Sequence, residues 1–107
     1  NQEPKAGAGS GSGNRKEERR LAAERRKQQT ILRKSVKAAE KDMEMYSVTV
    51  SAIDQAMFDP SSAEKQLADY TMTELMKLRA EMQDKLDKAE ARWLETTEAL
   101  ETESENA

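Results

Sequence analysis

Basic side chains crowd one stretch of this 107-residue chain. Between Arg15 and Lys34 the order is RKEERRLAAERRKQQTILRK, with nine Lys or Arg against three Glu. The cations are Arg15, Lys16, Arg19, Arg20, Arg25, Arg26, Lys27, Arg33 and Lys34, and Lys37 follows. Side chains of this kind can track a phosphate backbone. Each phosphate they neutralise releases counterions, which gives a salt-dependent affinity that does not depend on sequence. Gln28 and Gln29 can add hydrogen bonds.

Other chemistry is absent. There is no Cys, which removes disulfides, zinc thiolates and iron–sulfur sites, and no His, the commonest general base and metal ligand. All four glycines, at 7, 9, 11 and 13, precede the basic stretch, so no phosphate-cradling glycine loop follows it. The acidic residues cluster no more than a solvated helix face requires. An enzyme is not expected within these residues, nor is a cofactor or a metal.

The basic stretch must be carried by something, and the apolar residues say what. Leu32, Val36, Ala39, Met43, Tyr46, Val50, Ile53 and Met57 follow a 4-3-4-3 ladder. That spacing averages 3.5 residues and keeps one seam of a helix facing a partner helix. A second ladder runs through Leu67, Thr71, Leu75, Leu78, Met82, Leu86, Ala89 and Trp93. Between them lies Phe58-Asp59-Pro60-Ser61-Ser62, a turn. The fold class is all-α: a two-helix antiparallel coiled-coil hairpin, expected to be monomeric, with a short helical turn at its tip and a disordered linker before it. The expected register sets Trp93 opposite Leu32, Ala89 opposite Val36, Leu86 opposite Ala39, Met82 opposite Met43 and Leu75 opposite Val50. Trp93 then serves as a seam residue and not as a stacking platform for bases. Met43, Met57, Met72, Met76 and Met82 are read as adaptable packing.

The expected boundaries are a flexible linker over 1–14, a hairpin over 15–101 and a frayed tail over 102–107. Within the hairpin, helix 1 covers about 15–57, the tip 58–70 and helix 2 about 71–101. Two capping boxes mark the tip, Ser61-Ser62-Ala63-Glu64 and Thr71-Met72-Thr73-Glu74. They predict a short helix around 62–68 and a second helix starting near Thr71 or Met72, with Phe58, Leu67 and Tyr70 closing the seam; the alternative is one continuous helix from Ser62.

The same register sets the basic arm against Glu95, Glu98, Glu101, Glu103 and Glu105, and complementary flanking charge can hold two helices in register. Exposed pairs contribute only about 0–1 kcal/mol each, so nucleic acid could displace them. The alternative function is a structural module that meets a protein partner through exposed apolar positions such as Leu21 and Leu100. Charged residues make up 36% of the chain and no apolar run reaches membrane-spanning length, so the cytoplasm is expected and a membrane partner is not. The chain does not begin with Met and is read as a piece of a larger protein.

The segments RKEERRLAAERRKQQTILRKSVKAAEKDME, AIDQAMFDP and LMKLRAEMQDKLDKAEARWLETTEALE, in that order, resemble the C-terminal extension of ABC-F family ATPases. In that family a flexible linker precedes a basic helix leading to a "PLRK" element, a "DP" turn and a helix containing "WLExxEALE". Here those features are Arg15–Arg26, Ile31-Leu32-Arg33-Lys34, Asp59-Pro60 and Trp93–Glu101. Thr30 stands where the family often has Pro, and SSAEKQLADYT departs from the family's tip. The resemblance implies a parent with two upstream ATP-binding cassettes, using ATP and Mg, that acts on ribosomes or translation. In the Uup-like branch it implies a coiled-coil hairpin linked with DNA binding. The ligand implied is therefore DNA or ribosomal RNA, with Arg19, Arg20, Arg25, Arg26 and Lys27 as its contact surface.

Overall fold

The computed structural model describes residues 6–106, with side chains from 14 to 105. Helix α1 spans Ala6–Phe58, two single 3-10 turns cover Pro60–Ser62 and Lys65–Leu67, and helix α2 spans Met72–Asn106. The two helices pack side by side in a rod of 83 × 19 × 16 Å, with no strand among the described residues. No helix is long and apolar enough to cross a membrane.

Both helices exceed their expected limits. α1 begins at Ala6, inside the stretch read as a linker, while residues 1–5 lie outside the described residues. Once a helix exists, each added residue contributes a hydrogen bond, and Ala6 and Ala8 favour extension even though each glycine opposes it by about 1 kcal/mol. α2 continues to Asn106, with good helix formers at Glu103 and Glu105 and a hydrogen bond from Thr102 Oγ1 to the Glu98 carbonyl at 3.0 Å.

The tip contains two turns where one short helix was expected. Pro60 disfavours a helical conformation at Asp59, which sits at φ −140° and ψ 89°. Asp59 then caps the first turn, its Oδ1 accepting from the Ser61 amide at 3.2 Å and from Ser61 Oγ at 2.7 Å. Ser61 is thereby diverted from its capping box with Glu64. Ala63 and Glu64 are extended, which splits the segment. The second box does form: Thr71 N–H donates to Glu74 Oε1 at 2.9 Å, and Glu74 N–H donates to Thr71 Oγ1 at 3.1 Å. Those two bonds satisfy amides that the start of a helix otherwise leaves without partners, and α2 starts there.

All eight rungs of the first ladder are buried or half-buried. In the second, Leu75 and Ala89 are buried, and Leu78, Met82, Leu86 and Trp93 are half-buried. The densest packing lies near the tip, where Ile53, Ala56 and Leu75 gather Met57, Ala63, Leu67, Leu78 and Met82 around them. One rung and two plugs differ from expectation. Thr71 is exposed because its hydroxyl serves the cap, whereas Leu67 lies in the tip and packs against the end of the seam, as expected. Phe58 is 90% exposed and Tyr70 is exposed, so Ala56 and Ala63 help Leu67 close the end instead.

The register is one heptad away from the expected one. Trp93 Nε1 donates to Glu40 Oε2 at 3.0 Å, Arg92 Nη2 to Asp42 Oδ2 at 2.6 Å, and Arg79 to both Asp54 carboxylate oxygens. All three contacts are displaced the same way from the facing pairs that the ladders suggested. They place Trp93 beside Ala39, Ala89 beside Met43, Met82 beside Val50 and Leu75 beside Met57. A large side chain still meets a small one at both alanines, and the displacement is about 10 Å along the rod. The tip is the cause: its two turns use up Leu67 and Thr71, so α2 presents Leu75 as its first rung.

The Asp54–Arg79 pair has a pH signature. The hydrogen bond from the Arg79 guanidinium holds the Asp54 carboxyl below its ordinary value of 3.8 against the opposing effect of desolvation, and charge attraction from the same guanidinium adds to the lowering. A carboxylate depressed in the fold stabilises fully above pH 3.8 and loses that contribution as pH falls through its folded value. Asp54→Asn is expected to lower stability slightly at pH 7 and to flatten the acid limb of a stability-versus-pH curve measured by urea unfolding. The buried Thr97 hydroxyl has no hydrogen-bond partner. Thr97→Val is expected to raise unfolding free energy by about 1 kcal/mol in the same assay. Register is tested by cysteine pairs in this cysteine-free chain. Asp42→Cys with Arg92→Cys should crosslink within one molecule through a short bismaleimide, and Arg33→Cys with Arg92→Cys should not.

Candidate nucleic-acid interface

The arm's cations are placed by the helix that carries them. At about 100° per residue, Arg15, Lys16, Arg19, Arg20, Arg26, Lys27, Arg33, Lys34, Lys37 and Lys41 all fall within an arc of about 140° on α1. The centre of that arc lies about 160° from the seam, on the outer face of the helix. Every one of these side chains is exposed. The stripe runs for about 40 Å, and Glu17, Glu18, Glu24 and Asp42 all lie outside its arc. Lys41 was absent from the sequence-based set, although its angle on the helix was available from sequence. Arg25 was in that set but does not join the stripe: it points along the seam direction.

The register decides how the arm meets α2. With Trp93 beside Ala39, the end of α2 reaches only to about Arg26, so residues 15–25 of α1 run past it. Ala22 is half-buried there, while Leu21 and the surrounding cations are exposed. Glu95, Glu98, Glu101 and Glu105 are also exposed, and Glu103 is half-buried near Gln29. Among the described residues no ion pair joins these glutamates to the arm. The arm's ion pair is local, between Arg20 and Glu17 one turn away. The expected charge zipper is therefore not formed, for two physical reasons. The heptad shift leaves residues 15–25 beyond the end of α2, and the cations that do lie alongside the glutamates, Lys27, Arg33, Lys34 and Lys37, sit on the stripe that faces away from α2. Lys88 also pairs locally, with Asp84 at 3.0 Å.

Trp93 lies in the seam, as its ladder position required, but over Ala39 and with its indole N–H held by Glu40, not opposite Leu32. A Trp so held does not offer a free face for base stacking. Leu100, expected to be exposed, is half-buried because the shifted register brings it to Leu32. Leu21 is exposed as expected, at 49%. Among the described residues no group of His, Cys, Asp or Glu is arranged to hold a metal ion.

Comparison with protein-family models, curated proteins and solved structures finds no match.

Proposed function

We propose that this chain is a non-catalytic accessory rod that contacts nucleic acid through the outer face of α1. The observation that carries this reading is the acid-free stripe from Arg15 to Lys41, with ten exposed cations on one side of one helix. A straight helix with cations spaced a turn or less apart can lie along or across a duplex groove and meet several phosphates at once. The net charge of −3 disfavours contact over the whole surface, and the segregation of charge confines it to this face.

The resemblance to the C-terminal extension of ABC-F ATPases supports the same reading. On that view the domain belongs to a cytoplasmic protein whose upstream cassettes bind ATP and Mg, and the rod brings those cassettes to DNA or ribosomal RNA. The chain's own residues supply phosphate contacts and rigid reach, and none of them performs a chemical step.

The test is a salt-dependent titration of the chain against duplex DNA, single strands and ribosomes. The slope of log K against log salt should become shallower by about 0.9 for each duplex phosphate that a variant leaves unneutralised. Arg26→Ala should reduce affinity and slope, whereas Arg25→Ala should leave the slope unchanged. Replacing Arg19, Arg20, Arg26 and Lys27 together with Glu should weaken binding on the order of 100-fold with helicity intact. Salt-insensitive binding that depends on Leu21 would instead favour a structural module docking on its own cassettes.

A further inference from the structure

Between Arg15 and Lys41 the chain has two hydroxyl side chains, Thr30 and Ser35. They sit very differently on α1. At about 100° per residue, Thr30 falls about 10° from the centre line of the cationic arc. Ser35 falls about 130° from that line and is half-buried beside the seam. Thr30 is exposed, and its Oγ1 donates to the Arg26 carbonyl at 2.9 Å. Arg26, Lys27, Arg33 and Lys34 precede or follow it by three or four residues, so a cation stands at each corner around the hydroxyl. Side chains at those spacings are neighbours, with Cβ atoms roughly 5–6 Å apart. All four cations are exposed, and among the described residues no ion pair uses them.

A charge placed at that hydroxyl acts on the whole stripe. A phosphorylated Thr carries about −1.5 to −2 near neutral pH and presents three acceptor oxygens. At position 30 those oxygens meet guanidinium and ammonium groups on both sides in charge-assisted hydrogen bonds. The bond given up is the hydroxyl's donation to its own helix, which adds little to helix stability. The surroundings also suit the enzyme that installs the group. Arg25, Arg26 and Lys27 lie five, four and three residues upstream, a charge pattern that a kinase with an acidic substrate groove selects. Thr30 lies one turn inside the point where α2 ends, and a helix near the limit of its partner opens locally at low cost, as binding in a kinase groove requires. We propose that Thr30 is a phosphorylation site that switches off the cationic stripe: its phosphoryl group is held by Arg26, Lys27, Arg33 and Lys34 and withdraws them from nucleic acid. In the transfer, Thr30 Oγ1 bonds to the γ-phosphorus of ATP as the bond to the bridging oxygen breaks. ADP leaves, and the hydroxyl proton passes to the kinase's base. This regulation rests on the nucleic-acid reading of the same face.

The experiment compares the full chain carrying phosphothreonine at position 30 with the unmodified chain. Titrated against duplex DNA over a range of salt, the phosphorylated chain should bind at least about tenfold more weakly, with a slope shallower by about 2. Thr30→Glu should reproduce part of that loss, and Thr30→Val should bind as the unmodified chain does. Gln28→Glu, whose new charge lies about 150° from the centre of the arc, should lose less than Thr30→Glu. A phosphorus NMR pH titration reads the phosphate itself: its second pKa should fall below the ordinary value of about 6, because the cations favour the dianion. Incubated with ATP and a basophilic Ser/Thr kinase, the chain should gain phosphate at Thr30, mapped by mass spectrometry. Equal affinity of the two chains, an equal loss from Gln28→Glu and Thr30→Glu, or no phosphate at Thr30 would each overturn the inference. An unshifted phosphate pKa would overturn it whatever the binding result. If the unmodified chain bound no nucleic acid while the phosphate pKa was lowered, the phosphate site would stand and the nucleic-acid reading would fall.

Discussion

Everything in this rod depends on one apolar seam between α1 and α2. The seam is narrow, and few side chains in it are wholly buried: Ala39, Val50, Ile53 and Ala56 from α1, and Leu75 and Ala89 from α2. Three of these, Ile53, Ala56 and Leu75, cluster near the tip, and the two alanines Ala39 and Ala89 let larger side chains, Trp93 and Met43, close over them. A seam built this way holds two helices at a close distance but does little to fix their position along the axis. Sliding by a heptad replaces each rung with another of the same kind. Axial position therefore has to come from features that do not repeat.

Two kinds of feature supply it. One is the tip, where Asp59 and Pro60 end α1, two 3-10 turns consume the next residues and the Thr71–Glu74 box starts α2. Their combined length sets which rung of α2 comes first. The other is the set of flanking polar contacts, Asp54 with Arg79, Asp42 with Arg92 and Glu40 with Trp93. Each is exposed and individually weak. Their value lies in their spacing along the two helices, which only one axial position satisfies for all three.

That choice of register shapes the surface. It carries the end of α2 only as far as about Arg26, and the first cations of the arm stand clear of the glutamates at the C-terminal end. The twist of α1 then turns the remaining cations outward, away from α2. Charge is segregated by these two effects together: a cationic outer face on α1 and an acidic stretch at the end of α2. Such a distribution lets a chain of net negative charge hold a locally strong attraction for phosphate.

Much of this was legible in the chain itself. Helicity, the turn at Asp59-Pro60, the start of α2 at its capping box and the identity of nearly all seam residues follow from local rules: periodicity, proline geometry and side-chain caps act over a few residues. The angular alignment of Arg15 through Lys41 is equally local, because a helix's pitch is constant. Three properties were not legible. The heptad register depended on the backbone path of the tip, where Ala63 and Glu64 are extended for reasons a capping pattern does not show. The exposure of Phe58 and Tyr70, expected as plugs, depended on Ala56 and Ala63 filling the end of the seam first. The absence of pairing between the basic arm and the glutamates followed from register and helix rotation combined. A periodic sequence determines which face of each helix is apolar; only the folded tip, which breaks the period, decides which residues meet across it.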